Sequence, residues 1–184
     1  MSKAIYLELR RLKQASKYLN KSSMEKLTSS FILSRLDYCN SLFVNLPTYQ
    51  LQKLQKLQNY AARIIYNKTK KAHVTPLLKD LHWLPMQARI DYKIAMLIYK
   101  CLNGLAPAYI AKLIRIYSPN RSLRSASKFL LEQKKCNYKS IGERSFSFYA
   151  PVLWNSLPQR LRDQPSLNSF KGHLKTHLFR SSYF

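Results

Sequence analysis

The fold is decided by one stretch of the sequence, LHWLPMQARIDYKIAMLIYKCLNGLAP, which runs from Leu81 to Pro107. Pro85 suits the first position of a helix, where its missing N–H is not needed. Asn103 and Gly104 favour a left-handed stop, and Pro107 prevents the helix from continuing. These signals predict a helix near residues 86–102.

Apolar residues cover most of the circumference of this predicted helix. They form two rows at helical spacing, one of Met86, Ile90, Ile94, Leu97, Ile98 and Cys101 and one of Ala88, Tyr92, Ala95, Tyr99 and Leu102. A helix with apolar residues on several sides is buried and packs against neighbouring elements on each of those sides. We therefore expect a mainly α fold, a compact multi-helix bundle around this central helix, with Trp83 buried beside it.

Most of the rest of the chain is expected to be helical. Apolar spacing predicts further helices near residues 3–19, 22–43, 48–66, 75–81, 107–117 and 143–157, and one that Ser166 caps. The second of these begins with a capping box from Ser22 to Glu25 and buries Met24, Leu27, Phe31, Tyr38 and Leu42. A short β-hairpin is expected near residues 129–141. The chain is expected to form a helical lobe over residues 1–117 and a basic lobe with two helices over residues 118–184, or a single domain.

The composition indicates a basic intracellular protein. Lysine and arginine number 32 against 8 acids, which gives a formal charge of +24, and 46% of the 184 residues are hydrophobic. The apolar content excludes a disordered basic tail, and the charge favours a polyanionic partner, nucleic acid first and an acidic membrane surface second. The 3 cysteines have no CxxC pair, which is typical of reduced thiols. Because we find no signal peptide and no apolar run that could span a bilayer, we expect a location in the nucleus or cytoplasm and no membrane partner.

One predicted helix carries a row of cations with an aromatic residue among them. Lys53, Lys56, Tyr60 and Arg63 share a face of the helix near residues 48–66, and Lys68, Lys70 and Lys71 extend the row into the next loop. Such a row suits a phosphate backbone with an accessible base or sugar. The alternative is a solvated helix face.

Two further basic clusters are candidates for the same role. Arg89, Lys93 and Lys100 form the only continuous polar stripe on the central helix, and Arg121, Arg124 and Lys128 form the densest arginine site. Arginine makes planar, bidentate contacts to phosphate that lysine does not make. Since 8 acids cannot neutralise 32 cations, most of the charge is free for solvent or a partner.

The residues needed for catalysis are not found in the sequence. Polymerase chemistry needs paired aspartates that hold two metal ions, but none of the four aspartates is adjacent to another acid. We expect Asp37 to pair with an arginine or lysine instead. His173 and His177 form at most half of a zinc site. We therefore expect no catalytic residue, no metal and no cofactor.

Several motifs in a fixed order carry a family resemblance over nearly the whole chain. They are SRLDYCNSL (Ser34–Leu42), LQKLQNYAAR (Leu54–Arg63), the stretch from Leu81 to Pro107, RSLRS (Arg121–Ser125), APVLWNSLP (Ala150–Pro158) and SFKGHLKTHLF (Ser169–Phe179). Together they resemble the C-terminal part of reverse transcriptases of LINE-type (non-LTR) retrotransposons of the jockey and chicken-repeat kind. The resemblance implies a helical thumb that follows the catalytic palm and grips the template–primer duplex.

We therefore expect a non-catalytic, nucleic-acid-binding segment of such an RNA-directed DNA polymerase. It would contact phosphates without reading bases, and its protein partners would be the palm and endonuclease that this chain lacks. The alternative is a decayed or domesticated fragment of the element that acts as a helical protein-interaction module. An enzyme is the weakest hypothesis. The sequence does not distinguish RNA from DNA as the ligand.

Overall fold

The computed structural model of the protein describes residues 2–118, 129–136 and 142–184. The described part is mainly helical, which confirms the predicted fold class. Short π and 3-10 segments lie at Ser29–Leu33, Asn40–Phe43 and Gly142–Arg144. The α-helices are α1 (Ser2–Ala15), α2 (Lys21–Thr28), α3 (Ser34–Asp37), α4 (Thr48–Ile65), α5 (Thr75–Asp80), α6 (Met86–Leu102), α7 (Ala108–Ala111), α8 (Phe146–Ser156), α9 (Gln159–Arg162) and α10 (Leu167–Tyr183).

Helix α6 has the bounds that the sequence predicts. It ends where Gly104 adopts a φ of +68° and the Leu105 N–H donates to the Lys100 carbonyl at 2.8 Å, the hydrogen bond of a Schellman motif. Ile94 and Ile98 are buried as expected. Leu97 is only half-buried, so its place in the buried row is wrong.

The same kind of ending terminates α4 and α5. Asn67 and His82 have φ values of +50° and +51°. The backbone N–H of the next residue donates to the carbonyl five positions earlier in each case. These bonds run from Lys68 to Arg63 at 2.9 Å and from Trp83 to Leu78 at 3.0 Å. The second of these turns places Trp83 in the core with only 8% of its surface exposed, as predicted.

The predicted second helix differs from the structure at its start. Its N-cap is Asn20, whose side chain accepts a hydrogen bond from the Ser23 N–H at 2.8 Å, and the helix begins at Lys21. The capping box from Ser22 is therefore wrong. Asn20 takes the position because its backbone is extended, with φ −74° and ψ 166°, which an N-cap requires.

A π-turn at Ser29–Leu33 also changes which side chains this segment buries. The Ser34 N–H donates to the Ser29 carbonyl, five residues back, so one extra residue is inserted into the helical register. Leu27 is half-buried, and the predicted buried row is wrong beyond Thr28, since Phe31 and Tyr38 are 46% and 76% exposed. Leu42, which is 76% exposed, lies past the end of the helix, because the backbone of Tyr38 is extended with a ψ of 119°. The core instead takes up Ile32, Leu33 and Leu36.

The chain divides into two compact units. The first comprises Met1–Asn40, Leu46–Arg89 and Phe179–Phe184. In it, α1 and α4 pack together and bury the Ile5 and Leu9 side chains. Its last residues are held by the Tyr183 hydroxyl, which donates to the Trp83 carbonyl at 2.6 Å.

The second unit comprises Ser41–Asn45 and Ile90–Leu178. Its core contains three aromatic rings from three different helices. The Tyr99 and Phe170 rings stack at 4.5 Å between centroids, and Trp154 lies 5.8 Å from Phe170. The Trp154 indole N–H donates to the Phe129 carbonyl at 2.8 Å, so this large side chain is buried without an unsatisfied donor.

The predicted β-hairpin is not formed where the structure describes it. Residues 129–136 contain no strand, and Leu131 makes an isolated antiparallel bridge with Ile116. The second half of the predicted hairpin, residues 137–141, lies outside the described residues. The structure adds α9 to the two helices predicted after residue 118, and the domain boundary expected there stays a prediction.

Candidate nucleic-acid interface

Helix α4 separates a buried face from a basic one. Leu54, Leu57, Ala61 and Ile64 are buried, as their spacing predicts. Lys53 and Lys56 are exposed, whereas Tyr60 and Arg63 are half-buried. The ammonium groups are therefore free to meet a ligand, while Tyr60 and Arg63 lie deeper, where α4 meets the rest of the first unit.

Helix α1 brings a second aromatic ring to this basic face. The Tyr6 and Tyr60 rings stack with their centroids 6.1 Å apart and their planes inclined by 27°. The Arg10 guanidinium carbon lies 6.0 Å from the centroid of the Tyr6 ring, within the range of a cation–π contact. Tyr6 is 44% exposed although its neighbour Ile5 is fully buried. The sequence analysis misses Tyr6, because only the packing of α1 on α4 makes the two tyrosines neighbours.

These side chains surround a cavity of about 420 Å³ in the first unit, which we call the Tyr6–Tyr60 cavity. Its volume is within the usual range for small-molecule and cofactor sites. Four of the described lining residues are cations and none is acidic. The lining residues are Tyr6, Lys53, Lys56, Leu57, Tyr60, Arg63 and Lys70.

Arg63 has a structural role in addition to lining the cavity. Its Nε–H donates to the Ala72 carbonyl at 3.0 Å, which ties down the loop that follows α4. Lys68, Lys70 and Lys71 are exposed on this loop. Arg63 therefore positions the loop lysines, and one of them, Lys70, reaches the cavity.

A second pairing of cation and aromatic ring lies at the start of α4. The Lys53 ammonium is 5.5 Å from the centroid of the Tyr49 ring, and Tyr49 is 59% exposed. An exposed aromatic face beside a cation is the combination that single-stranded nucleic acid uses, since bases stack on the ring and phosphates meet the charge. Tyr49 is a second residue that the sequence analysis misses.

A hydrogen-bonded cluster around Asp80 neutralises one of the lysines of the first unit. The Asp80 carboxylate accepts hydrogen bonds from the Tyr66 hydroxyl and from the Lys21 ammonium, which is 2.9 Å away. The hydrogen bonds from Tyr66 and Lys21 lower the pKa of Asp80, and the bond from Tyr66 has the larger effect. Hydrogen bonds with Tyr66 and Asp80 raise the pKa of Lys21, and Tyr66 again has the larger effect. Lys21 is therefore already paired with an acid, whereas no acid lies among the described residues that line the cavity.

The three cations expected to form a basic stripe on α6 differ in their exposure and in their pairing. The Arg89 guanidinium is paired with Asp37 at 2.6 Å and its side chain is only 13% exposed. The expected pairing of Asp37 is thus confirmed, and Arg89 has no free charge to offer a ligand. Lys93 is exposed and Lys100 is half-buried, and both lie in the second unit.

The arginine site expected at Arg121, Arg124 and Lys128 lies outside the described residues. Within the described ranges, no group of three His, Cys, Asp or Glu side chains is placed to hold a metal ion. Burial and the nearby Arg160 lower the pKa of His177, and the His173 Nδ1 lies 2.9 Å from the Ser169 carbonyl of its own helix. In the part of the chain that the structure covers, no helix has the length and apolarity that crossing a bilayer requires.

Comparisons of this chain with protein-family models, with curated proteins and with solved structures give no match. The resemblance to LINE-type reverse transcriptases therefore rests on the sequence motifs alone. The candidate site rests on its own geometry, namely cations and aromatic rings around one cavity.

Proposed function

We propose that the chain binds nucleic acid through the phosphate backbone, using the cations around the Tyr6–Tyr60 cavity. One observation carries the proposal, namely that Lys53, Lys56, Arg63 and Lys70 converge on one cavity without an acid among its described lining residues. Like charges placed together repel one another unless an anion neutralises them. A polyanion supplies that neutralisation at several points along its length.

The mechanism is release of counterions from the phosphate backbone. Exposed lysine ammonium groups each displace a condensed cation from the nucleic acid, and the released ions gain entropy. Contacts of this kind fix the position and orientation of the ligand but carry no sequence information. Binding is therefore expected to be independent of sequence.

The wider role we propose follows from the family resemblance of the motifs. As the C-terminal segment of a LINE-type reverse transcriptase, the chain would hold primer and template in place for a catalytic centre in another part of the enzyme. No catalytic step is assigned to this chain. The palm and endonuclease of such an enzyme are the protein partners that this role implies.

A salt titration of binding tests the proposal. The full chain is titrated against fluorescent duplex and single-stranded oligonucleotides of two unrelated sequences between 50 and 400 mM salt, concentrations that bracket roughly the range over which binding to phosphates weakens. We expect log affinity to fall linearly with log salt, with a slope on the order of −4 to −8 if several phosphates are neutralised. Weak binding that does not respond to salt would overturn the proposal.

A second candidate function is a helical protein-interaction module. The observation that favours it is an apolar cavity of about 260 Å³ in the second unit, whose lining includes Leu42, Ile94, Leu97, Leu113 and Phe146. Leu42 and Leu113 are 76% and 42% exposed there. Contiguous apolar surface of this kind marks interaction sites. Salt-insensitive binding to oligonucleotides would favour this candidate over the first.

A further inference from the structure

We propose that the Tyr6–Tyr60 cavity receives an unpaired nucleobase, so that the preferred ligand is a single strand or a duplex with a single-stranded overhang. The proposal rests on the proposed function and specifies which part of the nucleic acid enters the site. Phosphate contacts alone do not distinguish a duplex from a single strand. The distinction has to come from the uncharged part of the cavity.

The lining of the cavity combines aromatic and apolar surface. The Tyr6 and Tyr60 rings lie 6.1 Å apart and are inclined by 27°, and Leu57, with only 9% of its surface exposed, also lines the cavity. A phosphate would lose its hydration against such surfaces without compensation. A nucleobase has a flat apolar face that gains from the same surfaces, and any of the bases can stack on an aromatic ring.

Cations lie where the phosphates on either side of a bound base would pass. Lys53 and Lys56 lie on α4 before Tyr60, and Arg63 and Lys70 follow it in sequence. Arg63 follows Lys53 by ten positions, which is about 15 Å along the helix axis. A strand with stacked bases advances about 3.4 Å per phosphate, so this length accommodates several phosphates of one strand.

The outer end of this surface offers a second aromatic face. Tyr49 is 59% exposed, lies on the same helix, and has the Lys53 ammonium 5.5 Å from its ring centroid. Aromatic rings interleaved with cations along a path are typical of single-strand binding proteins. A paired base cannot use such rings, because both of its faces are covered by neighbouring base pairs. The cavity therefore favours an unstacked or unpaired base.

The experiment compares three ligands that carry the same number of phosphates. They are a blunt duplex, a duplex with a 3′ overhang and a single strand, each carrying the fluorescent base 2-aminopurine, which sits in the overhang of the second ligand. DNA and RNA versions are titrated in parallel, since the bases of both present the same aromatic face. The protein is the full chain and its variant Tyr6→Leu/Tyr60→Leu, which keeps an apolar lining but removes both rings.

We expect the double variant to lose about 5- to 150-fold in affinity for the overhang and the single strand, which is the stacking free energy of one base expressed as a ratio. Affinity for the blunt duplex should stay within about twofold, and this retained affinity shows that the variant is folded. The fluorescence of the overhang base should change on binding to the wild-type chain and much less with the variant. Tyr60→Phe, which keeps the ring, should behave like the wild type.

A matched control is Tyr18→Leu, which removes a tyrosine that is 87% exposed and does not line the cavity. Its affinity for all three ligands should be unchanged. The inference is overturned if the double variant loses duplex and overhang binding equally, or loses neither, while salt-dependent binding by the wild type persists. If none of the ligands binds to the wild-type chain, the proposed function fails and this inference fails with it.

Discussion

The Arg89 guanidinium lies 2.6 Å from the Asp37 carboxylate, and these two residues are 52 positions apart in the chain. Arg89 also donates through its Nε–H to the Leu84 carbonyl at 3.1 Å. The arginine side chain is 13% exposed and the aspartate side chain 32%. The pair therefore joins the start of α6 to the end of α3 inside the first unit, and its charges are largely removed from water.

Replacing one member of this pair should destabilise the protein. Arg89→Met keeps the apolar stem but leaves the Asp37 carboxylate without its cation, and a charge-assisted hydrogen bond with one buried partner is worth about 1–3 kcal/mol. We expect a loss of free energy of unfolding of that size in urea denaturation. The matched control is Lys93→Met on the same helix, where an exposed lysine should contribute no more than about 0.5 kcal/mol.

A double-mutant cycle with Asp37→Asn separates the pair from its surroundings. If the two side chains stabilise each other, the double variant should lose less than the sum of the two single losses. Strictly additive losses would show that Arg89 and Asp37 do not stabilise each other.

The ends of α6 were predictable because their signals are local. Pro85 and the Asn103–Gly104 pair fix α6 within a few residues of sequence, and the apolar spacing of α4 places Leu54 and Ala61 in the core without any knowledge of the partner helix. The same method fails at the π-turn of Ser29–Leu33. An extrapolated helical period assumes that no residue is inserted, and nothing in the residue types of this segment indicates the insertion.

The candidate site could be predicted only in part for a similar reason. The spacing of Lys53, Lys56 and Tyr60 puts them on one face of a helix whatever the fold. The contributions of Tyr6 and Arg89 depend on packing between segments distant in sequence, since Tyr6 meets Tyr60 and Arg89 meets Asp37 only after folding. Sequence alone therefore identifies a basic face but cannot tell which of its cations are already paired.

A half-buried phenol, that of Tyr183, predicts a pH dependence of stability. Burial raises the pKa of Tyr183 to about 12, an effect that the nearby Arg89 partly opposes, and the hydroxyl donates to the Trp83 carbonyl. Because the folded pKa is raised, the stabilisation is fully present below the unfolded pKa of about 10 and is lost as the pH rises from there towards 12. We expect Tyr183→Phe to flatten the decline of unfolding free energy across this window.

The measurement is a series of urea denaturations between pH 8 and pH 12, a range that spans roughly two units on either side of the ordinary tyrosine pKa. At the low end of this range, where the phenol is protonated, the variant should lose about 1 kcal/mol, since the Trp83 carbonyl loses its donor. Tyr18→Phe, at a position that is 87% exposed, serves as the control and should follow the wild-type curve. A variant curve parallel to the wild-type curve above pH 10 would contradict the assignment to Tyr183.

The exposed lysines of α4 allow the grip on phosphates to be separated from the stability of the fold. Lys53→Gln/Lys56→Gln removes two charges, and glutamine has nearly the helix propensity of lysine, so the free energy of unfolding should change little. Arg63 is left unchanged, because its bond to the Ala72 carbonyl would make a decrease in binding ambiguous. We expect weaker duplex binding and a salt slope reduced by about 0.9 for each phosphate that is no longer neutralised.

The control for this variant removes the same charge elsewhere. Lys171 and Lys175 are exposed on α10 and do not line the Tyr6–Tyr60 cavity, so Lys171→Gln/Lys175→Gln should leave the slope unchanged. Equal decreases in affinity for the two variants would mean that the chain attracts nucleic acid through its total charge and not through one surface. A Lys53/Lys56 variant with the parental slope would mean that the phosphates meet other cations, and Arg121, Arg124 and Lys128 would then be the next residues to replace.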